Sequence, residues 1–437
     1  MKSERELKEL QRLIVTLLRR IAQINTLPPD SRKLGRFVAF QDEKLGYVAY
    51  DIVRKVTSDK GSWILTNRDE PLWNEVVAKL CDLNPAIVSP AKVEERLRDF
   101  VWKYKSKRWS LLGIKEDARA LINAVEREKG RTTQVFLPIW GLIIQVSQFV
   151  IGDVEFRPRT EYVEIDKQLE REELAEKGFS MYKVPTIAAT ESHGDDRMVV
   201  QNAEAKVIKA LNIFRALTHS IIPHTSFREI GVMGTFCPHE KKLYFVKPSQ
   251  VNTDASPSIL GGSELYGISD RPINQYLIEV FLPRRGFHLL SNLLVSHRSD
   301  SEFDKKLLRG AEWLGEATKL DTLEAKFLKV AFAVDAMLGD LSEDIPDKGK
   351  RARIAERSAF LLAEKGSERK RVYKDMDKFI KKRDKLAHGS ELHVSQWETE
   401  RFGIYARGIL TKLLLRDPPF KTMQELGKWV QWKSFQG

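Results

Sequence analysis

Two cysteines in 437 residues, Cys81 and Cys237, leave no disulfide framework and suit a reducing compartment. Neither belongs to a C-x-x-C pair, and Cys237 with His239 is too small a ligand set for zinc, so no metal is expected. Long apolar runs are also missing. A stretch such as FLPIWGLII is far short of the roughly 20 residues that cross a bilayer, which argues against a membrane partner. The opening MKSERELKEL is charged from its second position and does not read as a signal peptide, so a cytoplasmic location is expected. The chain has no Gly-rich phosphate loop, no HExxH, no GxSxG and no internal repeat. Walker-type phosphate binding, zinc-peptidase chemistry, a nucleophile elbow and solenoid architecture are thereby set aside, and no cofactor is expected.

What is present is an ordinary globular composition, 42% hydrophobic and 31% charged, long enough for two or three domains with cores of their own. The net charge of +12 and pI near 9.4 favour polyanionic partners. That charge is unevenly spread. From Lys348 to His388 there are 15 Lys or Arg against 6 Asp or Glu, a local excess of +9.

The periodicities describe an α+β chain, a mixed α/β N-terminal body followed by an all-α bundle. Region 1–110 opens on an amphipathic helix with a capping box at Ser3 and Glu6 and a stripe of Leu7, Leu10, Ile14, Leu17, Ile21 and Ile24. A short coiled coil and docking onto the parent domain both fit that stripe. Strand-like pieces follow at Tyr47–Val53 and Ser62–Thr66, then helices near 71–82 and 91–105. The segment RLRDFVWKYKSKRW (96–109) interleaves basic and aromatic residues and has two readings. Stacking and phosphate contacts would suit single-stranded RNA, whereas Leu97, Phe100, Val101 and Tyr104 at helical spacing would form a core stripe with lysines around it.

Region 111–300 reads as an α+β, sensor-like or regulatory body. It holds a helix from Lys115 to Lys129, a hairpin from Ile143 to Phe156 turning at Gly152-Asp153, and a helix with Val200, Ala203, Val207, Ala210, Leu211 and Phe214 on one face. Residues 220–262 read as strands and loops. From Ser301 the pattern is purely helical, with capping boxes at Ser301/Asp304 and Ser395/Glu398 and a nearly all-apolar helix, TLEAKFLKVAFAVDAMLG, carrying one acid, Asp335. Five helices to residue 416 make a bundle of domain size, and the tail 417–437, with Trp429 and Trp432, folds back.

The stretch that bears chemistry is SERKRVYKDMDKFIKKRDKLAHG (367–389). Val372, Met376, Phe379 and Leu386 form one stripe, and Arg383 takes the seam position between the last two. A seam arginine needs a partner. His388, of the one residue type suited by itself to exchange protons near neutral pH, stands at the helix exit beside Gly389. Together they suggest an anion site with a proton donor or acceptor. A capped helix with a surface histidine is the plainer reading of the same spacing.

Residues 301–416 resemble a HEPN domain, and more closely its Apea-like branch. The resemblance rests on AEWLGEATKLDTLEAKFLKVAFAVDAMLG, RIAERSAFLL and DKFIKKRDKLAHG, in that order, followed by a closing amphipathic helix. It implies that Arg383 and His388 are the catalytic R-x4–6-H pair. Asp384 stands at the polar position after the arginine, and Asp335 where many relatives keep an acid facing the site, with Arg383 or Arg357 as its partner. A buried ion pair without a catalytic role is the other reading of Asp335.

The family further implies metal-independent RNA cleavage, in which the 2′-OH is the nucleophile, His388 moves the proton and Arg383 neutralises the phosphate. The products would carry a 2′,3′-cyclic phosphate and a 5′-OH. It also implies a homodimer whose two Arg/His helices make one cleft and a toxin-like role in antiviral (phage) defence, while the local basic excess makes Lys378, Lys381, Lys382, Lys385 and Arg357 the RNA-binding cations expected. The N-terminal body would then receive a phage-derived or nucleotide trigger. The alternative is a non-catalytic HEPN dimerisation and nucleic-acid-binding scaffold. Nucleotidyl chemistry at the same site ranks below both, since the chain has no Gly-Ser plus paired-aspartate signature.

Overall fold

The computed structural model describes residues 3–25, 37–42, 46–58, 61–107, 112–163, 167, 185–218, 230–232, 245–246, 258–259, 271–295, 301–339, 349–389, 392–416 and 419–435, and the statements below concern these. The expectations for most of 220–262, for Cys237 with His239 and for Trp109 lie outside the described residues. The chain divides into two compact units, one of residues 1–133 with 192–202 and one of 134–191 with 203–437. Strands Arg131–Trp140 and Thr186–Gly194 and helix Asp196–Thr218 each have residues in both units.

The first unit opens with α1 (Glu4–Asn25), where Glu6 Oε2 accepts from the Ser3 amide and hydroxyl at 2.7 and 2.9 Å. Its stripe is used within the unit. Leu10, Ile14, Leu17, Leu18 and Ile21 are buried in a core with Trp63, Trp73, Leu97, Tyr104 and Leu121, so α1 docks on its own domain. Three antiparallel strands, β1 (Phe37–Asp42), β2 (Gly46–Ser58) and β3 (Gly61–Thr66), pair in sequence order. Helices α2 (Glu70–Cys81), α3 (Pro90–Ser106) and α4 (Ile114–Glu126) follow, close to the ranges expected from the periodicity. In α3, Leu97, Phe100, Val101 and Tyr104 are buried, and the Tyr104 hydroxyl donates to Asp117 Oδ2 at 2.7 Å. The basic and aromatic segment therefore commits those rings to the core, and they are not open to stack on bases.

In the second unit, β4 (Arg131–Trp140), β5 (Leu142–Ile144), β6 (Phe149–Ile151), β7 (Val154–Pro158) and β8 (Thr186–Gly194) are followed by α5 (Asp196–Thr218) and β9 (Gly231–Val232). The five-stranded sheet runs β6-β7-β8-β4-β9. The hairpin expected over Ile143–Phe156 is present only in its second half, with Phe149 opposite Phe156 and Ile151 opposite Val154, while Ile143 and Ile144 belong to β5, which pairs outside it. Gly152 turns it at φ 66°, and a Cβ there would come within 2.7 Å of Leu294 Cβ, so the turn needs glycine on both counts. Short strands β10 (Phe245–Val246) and β11 (Ser258–Ile259) pair with each other, and β12 (Arg271–Ile273) runs parallel to β5.

Helix α6 (Phe287–Val295) brings Phe287 into a stack with Phe149 of the sheet, ring centroids 5.6 Å apart. The bundle proper is α7 (Glu302–Ala317), α8 (Leu323–Leu338), α9 (Lys350–Leu362), α10 (Gly366–Ala387) and α11 (Gln396–Leu414), closed by α12 (Met423–Phe435). Phe327, Phe379 and Phe402 meet at its centre with centroids 5.0–6.0 Å apart, tying α8, α10 and α11 together. One continuous core reaches from Ile139 to Val430, so residues on either side of positions 300 and 416 pack into the same body. The sheet and the bundle share apolar contacts, and α12 contributes Met423, Leu426 and Val430 to that core. The chain is thus mixed α/β, with a helical C-terminal region. No described helix is long and apolar enough to cross a membrane.

Candidate functional site

Helix α10 places the candidate residues. Val372, Met376, Phe379 and Ile380 are buried along it, and Arg383 follows Phe379 by one turn on the same inward side. Its side chain is 16% exposed. The helix ends where the glycine predicts: His388 is the C-cap, its amide donating to the Asp384 carbonyl at 3.1 Å, and Gly389 adopts φ 79°. His388 itself is exposed. Five residues of helix carry it about 140° around the axis from Arg383. One chain therefore presents the two side chains in different directions.

Asp335 lies near the C-terminal end of α8, and its backbone carbonyl accepts from the Gly339 amide at 2.8 Å. Its principal partner is Lys350, the first residue of α9, whose Nζ lies 2.8 Å from Oδ1 and 2.9 Å from Oδ2. Arg383 Nη1 stands off at 3.9 Å from Oδ2. The arginine's nearer acid is Asp384, with Nε 3.0 Å from Oδ1 but without the alignment of a hydrogen bond. Of the two arginines expected beside Asp335, Arg383 is there at long range. Arg357 is not: it is buried, and its Nη1 donates to the Leu338 carbonyl at 2.6 Å. That burial also removes Arg357 from any RNA-binding face. Lys350 escaped the sequence reading because no local pattern says how α9 begins against α8.

The lysines of α10 divide. Lys381 and Lys385 are exposed. Lys382 is 13% exposed and gives its Nζ to Glu398 Oε2 at 2.6 Å, while Lys378 reaches Glu398 Oε1 at 3.1 Å. Glu398 is also the acid of the α11 capping box, accepting from the Ser395 amide at 3.1 Å. Burial by itself would raise the Glu398 carboxyl, but hydrogen bonds from Lys382, the Ser395 amide, Lys378 and the Ser395 hydroxyl outweigh it and bring the pKa down to about 2. Beside this lies a second clamp between α10 and α11. Asp375 Oδ2 meets Arg401 Nη2 at 2.7 Å and accepts from the Tyr405 hydroxyl at 2.8 Å. Neither clamp was foreseen, although Glu398 was visible as a capping acid.

The first unit contains a cleft of about 420 Å³, lined in part by Lys92, Glu128, Arg131, Asp195 and Arg197. Asp195 fills its anionic role internally, accepting from the Ser89 amide and hydroxyl at 2.7 and 2.8 Å and from the Met198 amide at 2.8 Å. Among the described residues no group of three or more His, Cys, Asp or Glu is placed to hold a metal ion. Comparison with family models, with curated proteins and with solved structures finds no match to this chain.

Proposed function

We propose that the protein is a metal-independent endoribonuclease of HEPN type, working in the cytoplasm as a homodimer and as a toxin-like effector of antiviral defence. The observation that carries this reading is Arg383. It is a mostly buried arginine whose two acidic neighbours hold it loosely, one at 3.9 Å and already taken by Lys350, the other at 3.0 Å without hydrogen-bond alignment. Such a guanidinium keeps donors to offer a phosphate. His388, exposed a little over one turn onward, would take the proton from the ribose 2′-OH as its oxygen attacks the adjacent phosphorus. The P–O5′ bond breaks, the leaving oxygen is protonated, and a 2′,3′-cyclic phosphate and a 5′-OH result. Exposed Lys381 and Lys385 would hold the RNA backbone.

The different directions of Arg383 and His388 within one chain favour a cleft completed by a second copy. Trp397 and Ile404, 55% and 60% exposed and seven residues apart on one face of α11, supply apolar surface for an isologous contact. The same divergence favours, as a second reading, a scaffold that dimerises and holds nucleic acid without cutting it. The first unit would receive the trigger, a phage-derived component or a nucleotide. Incubation of total RNA with the protein in EDTA, wild type beside His388→Ala, decides between the two: cleavage by the wild type alone supports the nuclease, and binding without cleavage by either supports the scaffold.

A further inference from the structure

Among the described residues, Asp335 is the carboxylate near Arg383 that also has a competing cation. Lys350 Nζ donates to Oδ2 at 2.9 Å and lies 2.8 Å from Oδ1 without the alignment of a hydrogen bond, and the arginine is left 3.9 Å away. Asp335 is 23% exposed at its side chain and Arg383 16%, so solvent screens their attraction only in part. A carboxylate in that setting pairs with whichever cation reaches it. Gly339 makes room for the lysine. A Cβ at that position would lie 2.5 Å from Asp335 Oδ1 and 3.1 Å from Lys350 Cε.

From this arrangement we infer that Lys350 is a positioning residue: by occupying Asp335 it keeps Arg383 from collapsing onto that acid and leaves its guanidinium free for an anion. The inference rests on the nuclease reading for its consequence in catalysis, but not for the pairing itself. Without Lys350, Asp335 would draw Arg383 inward into a two-point pair, the geometry an arginine and a carboxylate prefer. A substrate phosphate would then compete with Asp335 for the same donors. Lys350 does not touch the reacting atoms in this account. Its effect passes through Asp335 alone, so it disappears when the Asp335 charge is removed.

The test is a set of full-length variants, Lys350→Met, Lys350→Arg, Asp335→Asn and the double variant Lys350→Met/Asp335→Asn, assayed for RNA cleavage with kcat and KM separated. Displacement of Arg383 by about 1 Å can lower kcat/KM by up to about 100-fold, and Lys350→Met should show a loss of that kind, with KM raised. Lys350→Arg should retain activity, since arginine can also occupy Asp335. The decisive result is the double variant, which should recover to the level of Asp335→Asn. A double variant as impaired as Lys350→Met would overturn the inference, because Lys350 would then act on RNA directly or through packing. If the wild type cleaves nothing, the nuclease reading fails and the pairing is judged by unfolding instead. The coupling between Asp335 and Arg383, measured with Asp335→Asn, Arg383→Gln and their combination, should increase in the Lys350→Met background. Unchanged coupling would refute the inference independently of any activity.

Discussion

Replacing Glu398 by Gln should destabilise the second unit at neutral pH, and the loss should disappear in acid. A carboxyl brought from its ordinary 4.5 to about 2 favours the folded state by roughly 3 kcal/mol when ionised. The carboxyl is 9% exposed, so little of that is lost to solvent screening. The substituted side-chain amide can still accept from the Ser395 amide, preserving part of the capping box, but it cannot neutralise Lys382. The expected cost is therefore about 2–3 kcal/mol, or a fall in Tm of about 5 °C. Because the folded pKa is depressed, the contribution is fully present above 4.5 and is lost as pH falls from there through about 2. Thermal unfolding followed by circular dichroism at pH 7, 4 and 2.5 measures the difference between wild type and variant. It should be largest at pH 7 and shrink steadily on acidification. A difference that is the same at all three values would refute the electrostatic account and leave only a packing effect. No difference at pH 7 would show that the two lysines gain nothing from Glu398.

His388→Ala should abolish RNA cleavage while leaving the Tm unchanged, because the side chain is exposed, and Arg383→Lys should also fail, since an ammonium does not reproduce the two-point fork; gel assays on total RNA check both. Lys381→Glu and Lys385→Glu should weaken RNA binding more than Lys433→Glu, with a shallower dependence on salt, as read by fluorescence anisotropy; equal effects at all three would make the basic helix a solvated face. Mixing the wild type with an excess of His388→Ala should depress cleavage beyond dilution, and solution mass should be about twice that of one chain; a fully active monomer would refute the shared cleft.

Much of the local structure could be read from residue spacing. The apolar positions Val372, Met376 and Phe379 are buried as a 3.6-residue period requires. Ser395 with Glu398 forms the expected capping box, and Gly389 ends α10 in the left-handed region. The Gly152-Asp153 turn also lies where alternation placed it, although the hairpin starts at Phe149 and not at Ile143, which pairs with a distant strand. These features depend on interactions over a few residues, so the sequence carries them directly. The seam position of Arg383 belongs here too, since helical spacing alone turns it inward.

Tertiary structure decided the partners. Lys350 and Asp335 are fifteen residues apart with a helix boundary between them, and no local pattern says that α9 begins over the end of α8. Lys382 reads on paper as one more surface cation of a basic helix, yet α11 brings Glu398 against it and removes it from the surface. Arg357 is buried, and packing brings its guanidinium to the Leu338 carbonyl at the end of α8. The parallel pairing of β5 with β12 joins residues more than a hundred positions apart. Sequence determined most of the side chains that face inward, because that follows from the period of each element, although Val200, expected on the shared face of α5, is 46% exposed. Which charge meets which depends on how separate elements pack, and that is settled only when the whole core forms.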